Sequence, residues 1–175
     1  MTNISGAEVR PHSRVAKILH WGFIGVFLFA LTKQLDEVEE LEDFGLLQYE
    51  MIFASIFLVI LVARFVFMQM TGPSAMPERT PVRQRWLART VHLGMYAGLA
   101  LIPLSGLWIG GLYGTGIKHG FWMDAALLVH EIAVNTTYTL IVLHVAAAVF
   151  HRRQGDGIWN SMVPVWREPA QSQDR

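Results

Sequence analysis

Four long apolar runs separated by short polar stretches set the pattern of this chain, at about 15–35, 44–70, 86–112 and 121–151. Each is long enough to cross a bilayer as a helix, which takes roughly 20 mainly apolar residues. Strands with open edges cannot cross lipid, because their backbone groups would go unpaired. The pattern therefore predicts an all-α integral membrane protein, an up-down four-helix bundle. A polar arm over 1–13 precedes a membrane domain over 14–164, and a polar tail over 165–175 follows it. The three prolines of GPSAMPERTP, residues 72–81, keep spans two and three apart. Gly110, Gly111, Gly114 and Gly116 are expected to break the chain after span three. No small-residue cleavage site follows the first run, so it reads as a retained span rather than a signal peptide.

Charge sorts between the connections. Arg10, Arg14 and Lys17 stand before span one, Arg79, Arg83, Arg85 and Arg89 between spans two and three, and Arg152 and Arg153 after span four. The positive-inside rule puts these three regions, and both termini, in the cytoplasm. The first connection, DEVEELED at 36–43, holds six carboxylates and no base, and belongs outside. Composition agrees with a bilayer: 53% of residues are hydrophobic and 16% charged, against about 25% charged in soluble domains. Formal net charge is zero, so no global field draws nucleic acid. Cysteine is absent, which removes disulfides, thiolate catalysis, iron–sulfur ligation and Cys-type zinc sites. The sequence has no phosphate loop and no HExxH pattern. A metal centre would rest on His, Met or carboxylate.

The stretch HEIAVNTTYTLIVLH, residues 130–144, places a histidine at each end of an apolar segment. On a helix this spacing spans about 21 Å and falls about 40° short of four full turns, so His130 and His144 share a face at two depths. His20 on span one and His92 on span three lie at about the depth of His144, while His151 lies at the interface. At the level of His130, span two offers Tyr49, Glu50 and Met51. Ionisable groups inside a bilayer are costly and default to a functional reading. Three imidazoles at one level on three helices point to a metal centre, since neutral imidazole binds iron, copper and zinc. A haem held between two helices is the economical form. Gly22, Gly25, Gly94, Gly98, Ala146, Ala147 and Ala148 would give a macrocycle room, and equally suit close helix packing. Asn135, Thr136, Thr137 and Tyr138, midway between the two histidines, are expected to face the interior and bond across helices.

These residues carry a resemblance. HW at 20–21, VARF at 62–65, H-x3-Y-x6-P-x2-G at 92–106 and H-x13-H-x6-H at 130–151 resemble the bacterial cytochrome b561 family of four-helix membrane haem proteins, over about 14–164. The resemblance implies two b-type haems, each held by two histidines. By position His20 and His144 would hold the inner haem, and His130 the outer one with a span-two histidine. That histidine normally stands fourteen residues before the arginine ending span two; counting back from Arg64 gives Glu50. Four outcomes are open: loss of the outer haem, weak ligation by Glu50, His/Met ligation by Met51, or a five-coordinate iron. Loss is favoured, which leaves one haem b and frees Glu50 to handle protons with His130. His92 reads as a partner for a propionate or quinone in preference to a rival axial ligand. Arg14, Lys17 and Arg89 lie where propionates would reach the inner interface, as would ordinary snorkelling basic residues.

The family further implies a multi-pass protein of the bacterial inner membrane that transfers electrons between a quinone and a second redox partner. That partner would be a periplasmic cytochrome c, an oxidoreductase subunit or superoxide. Asp36, Glu37, Glu39, Glu40, Glu42 and Asp43 would attract a basic partner. Two other readings compete: a non-catalytic haem-bearing anchor subunit of a larger oxidoreductase, and a redox-inactive membrane binding or assembly protein.

Overall fold

A computed structural model of the chain describes residues 12–32, 43–71 and 80–168. Among them it has five helices: α1 Arg14–Leu31, α2 Phe44–Met70, α3 Val82–Gly114, α4 Phe121–Gln154 and the short α5 Ile158–Met162. The first four are long and apolar enough to cross a membrane. Each start has a local cause. Ser13 Oγ accepts the Ala16 N–H at 3.1 Å and opens α1, and Asp43 Oδ1 accepts the Gly45 N–H at 2.8 Å and opens α2. Gly155, in the left-handed region, closes α4.

The helices differ from the sequence expectation at their ends. The described part of span one stops being helical at Leu31, where the Thr32 hydroxyl donates to the Phe29 carbonyl; residues 33–35 lie outside the described residues. Span three begins at Val82 and runs on through Gly110, Gly111 and Gly114. Those glycines are helical, and the break comes at Gly116, whose φ of +86° favours glycine. Span four continues to Gln154. The acidic residues at 36, 37, 39, 40 and 42 lie outside the described residues; Asp43 is the α2 cap.

Consecutive helices pack side by side. The α3–α4 contact is the most extensive, the α2–α3 contact is about half as large, and the α1–α2 contact is slighter still. The start of α1 and the segment after α4 meet at one end of the bundle, here the terminal end; the other is the far end. Phe23, Phe57, Leu61 and Leu99 form one apolar cluster. Leu47, Ile109, Tyr113, Met123 and Ala126 form a second, toward the far end. Where α3 crosses α4, Gly98 faces the fully buried Thr137, and a Cβ at 98 would collide with Thr137 Oγ1. Valine there forces the two longest helices apart, and the expected cost is about 1–3 kcal/mol for an overpacked contact. Thermal unfolding of Gly98→Val in detergent checks it. Of the polar residues midway along α4, only Thr137 is buried, and its hydroxyl donates within its own helix to the Ala133 carbonyl at 2.7 Å. Asn135 and Thr136 are exposed, against the expectation that they face inward.

At the terminal end, α5 folds back across α1, a contact the sequence pattern gave no sign of. Lys17 Nζ donates to the Asn160 carbonyl at 3.0 Å, Trp21 Nε1 to the Met162 carbonyl at 3.2 Å, and the His12 N–H to the Ser161 carbonyl at 3.3 Å. His12 is half-buried in this clasp. Burial holds its imidazole below the ordinary histidine range, and the nearby charges of Lys17 and His92 add to the effect.

Candidate metal centre

Four helices each bring an ionisable side chain to one level near the terminal end: His20 on α1, Arg64 on α2, His92 on α3 and His144 on α4. His20 stands six residues into α1, and Arg64 six residues before α2 ends, so each is about 9 Å from that end. Arg64 Nη2 donates to His20 Nδ1 at 2.8 Å. The His92 and His144 rings meet edge to face with centroids 5.0 Å apart. His92 Nδ1 donates to the Ala88 carbonyl at 2.7 Å, which leaves Nε2 with its lone pair. His20 lies within electrostatic reach of His92, His144 and His12. The histidines are clustered rather than converged: among the described residues, no three His, Cys, Asp or Glu side chains come together as ligands of one bare ion.

The second level lies toward the far end. His130 Nδ1 donates to Ser105 Oγ at 2.9 Å, and Ser105 Oγ donates in turn to the Leu101 carbonyl at 2.6 Å. This relay fixes the imidazole tautomer and leaves Nε2 free, the arrangement that metal-binding histidines adopt. The ring rests on α3, where a Cβ at Gly106 would lie 3.9 Å from His130 Cε1. Glu50 Oε1 is shielded from solvent and has no hydrogen-bond partner, so Glu50 and His130 are not paired. Met51 packs on α3 instead: a Cβ at Gly110 would lie 3.0 Å from its Cγ and 3.2 Å from its Sδ.

The small residues divide into two kinds. A Cβ at Gly94 would lie 3.0 Å from a methyl of Leu140, and Gly98 abuts Thr137, so both serve the α3–α4 contact. Gly22 and Gly25 on α1 have nothing within 4 Å of where a Cβ would stand. Both are exposed, and at 100° per residue neither shares the face of His20. A flat macrocycle with two axial ligands fits this arrangement better than a bare ion. It needs imidazoles on separate helices, room between them and a charge to meet its carboxylates. Histidines on α1, α3 and α4 and the guanidinium of Arg64 supply the first and the last of these. Of the basic residues expected near propionates, Lys17 is engaged by Asn160, while Arg14 and Arg89 are exposed at the rim.

Sequence reading did not single out Arg64 or Ser105 as site residues. A lone arginine inside the otherwise apolar α2 was a usable signal for the first. Nothing local marks Ser105, which meets His130 only through the α3–α4 packing.

The family model for prokaryotic cytochrome b561 matches residues 11–165. The chain belongs to the prokaryotic cytochrome b561 family. It is a multi-pass membrane protein, and family membership makes it a b-type cytochrome that carries electrons through haem. No curated protein and no solved structure gives a match to it. Within this b561 protein, the first histidine level contains His20 and His144, the positions at which the resemblance implies the inner haem. The second contains His130, with a carboxylate where the span-two imidazole is normally found.

Proposed function

We propose that this cytochrome b561 passes electrons from a quinone pool to a second redox partner through one inner haem b. His20 and His144 are its axial ligands. The observation that carries the reading is the clustering of α1, α3 and α4 imidazoles at one level in a chain of this family. When bound, the haem supplies one-electron chemistry. The protein sets its potential through ligands, burial and nearby charge. His92, beside both His144 and the His12 clasp, is placed to hold a quinone oxygen or a propionate and to manage the proton that accompanies quinol oxidation. Orientation follows from charge: Arg14, Lys17, Arg83, Arg85, Arg89, Arg152 and Arg153 crowd the terminal end, which we assign to the cytoplasm. The far end then faces the periplasm. The acidic connection at 36–43 belongs to that outer side.

The test is reduction of the purified, oxidised protein by a short-chain quinol. The reading expects the b-type alpha band to rise, and to rise at least tenfold more slowly in His92→Phe. A haem that dithionite reduces but quinol does not would overturn quinone as the partner. A second reading, the haem-bearing anchor of a larger oxidoreductase, has its own support. Glu131, Asn135 and Thr139 recur at helical spacing on the exposed side of α4. Polar side chains on a lipid-facing surface are costly and favour a protein neighbour. Stoichiometric co-purification of a second chain, lost when these three residues become leucine, would favour the anchor.

A further inference from the structure

Arg64 is the least explained residue of the bundle. Its guanidinium sits six residues inside α2, with its Cζ 5.3 Å from the ring centres of both Phe23 and Tyr96. Its Nη2 donates to His20, and its Nε is buried without any partner. Among the described residues no carboxylate pairs with it. Aromatic faces offset part of the cost of a cation in a membrane interior. They do not neutralise it. Among the described residues no group of opposite charge does.

The His20 contact cannot be the final arrangement of a haem ligand. Arginine only donates, so His20 Nδ1 accepts and the imidazole proton sits on Nε2. A neutral imidazole that gives its Nε2 lone pair to iron carries the proton on Nδ1. A guanidinium then meets an N–H where it now meets a lone pair. The two bonds to His20 exclude each other, so haem binding there releases Arg64 beside the cofactor. The cofactor itself brings two carboxylates. The basic residues nearer the rim are less suited to meet them. Lys17 Nζ is bonded to the Asn160 carbonyl, and Arg14 and Arg89 lie exposed, where water screens them.

Resting on the inner-haem reading above, we propose that Arg64 is the buried counter-charge of the inner haem: it leaves His20 as the haem enters and pairs with a haem carboxylate. It is a cofactor-binding residue of α2, the one helix that gives the inner level no imidazole. The pairing gives a partly buried guanidinium a charge-assisted partner.

The test is a cycle of two proteins and two cofactors. Wild-type chain and Arg64→Gln are each loaded with haem b and with its dimethyl ester, which has the same iron and ring but no carboxylates. Loss of cofactor to an excess of a haem-scavenging apoprotein is timed in detergent. With haem b, Arg64→Gln is expected to lose the cofactor at least tenfold faster than wild type. With the ester, the two proteins should agree within twofold. Arg64→Lys, which keeps the charge, should recover most of the retention and guards against a variant that merely misfolds. Equal rates for wild type and Arg64→Gln with haem b would overturn the proposal. So would an equal acceleration with haem b and ester, which would mean that Arg64 acts through packing or His20 alone. Wild-type protein that binds no haem would overturn both this proposal and the reading beneath it, whereas normal haem binding with no Arg64 effect sinks this proposal only.

Discussion

Replacing His144 with alanine removes the inner haem. The variant should fold, insert and purify with less than a tenth of the haem of the wild-type chain, and its reduced-minus-oxidised spectrum should be nearly flat. The size of the effect follows from geometry. His144 is the α4 imidazole at the terminal level, one ring away from His92 and within electrostatic reach of His20. Alanine removes the iron bond and leaves nothing on α4 to replace it, because His151 lies about two turns further along. The loss should not come from unfolding. His144 is only half-buried, and the α3–α4 contact is carried by Gly98 against Thr137 and by the apolar cluster toward the far end. His130→Ala is the matching control and should leave the inner band in place. Pyridine haemochrome assay per mole of chain measures both. Undiminished haem in His144→Ala would show that the iron is held elsewhere, with His92 opposite His20 as the first alternative.

Glu50→His should add a second haem. Glu50 stands on α2 near the level of His130, with a shielded carboxylate oxygen that nothing bonds. An unpaired buried polar atom costs about 1–3 kcal/mol, so the native residue is poorly accommodated by its neighbours. On α4, His130 is already oriented: Ser105 takes the Nδ1 proton and Nε2 is free. One imidazole is in place, and the substitution supplies the one that family members normally carry. The expected result is a rise from one haem to two per chain, with a second low-spin signal in electron paramagnetic resonance and a second reductive step in titration. No change in stoichiometry would mean that the gap at this level is closed to a macrocycle. A wild-type protein already holding two haems would mean that the outer iron uses another ligand.

How much of this could be read from the sequence depends on the range of the interaction. The four spans were legible because crossing a bilayer imposes a long apolar run on each, and the runs in this chain are separated by prolines and charge. Helix ends were less so. Gly110, Gly111 and Gly114 look like a break, but α3 continues through them, with Met51 packed onto Gly110. Thr137 and its neighbours look alike in sequence. Their faces diverge because Gly98 admits Thr137 alone, while Asn135 and Thr136 are exposed. Short α5 was invisible, since it is held by bonds to Lys17, Trp21 and His12 more than 140 residues earlier in the chain. Histidine depth followed from helical rise alone. What each imidazole touches did not: Arg64 reaches His20 across 44 positions, and Ser105 reaches His130 across 25. The chemistry-bearing residues were mostly visible, and the partners that fix their tautomers were not.

The central claim is that histidines from different helices hold iron porphyrin near the terminal end of this bundle. Haem per polypeptide, read with the reduced-minus-oxidised spectrum of wild-type protein made under ample haem supply, tests it most directly. The account predicts one haem b per chain with a sharp b-type alpha band. A folded, monodisperse preparation that stays colourless would contradict it.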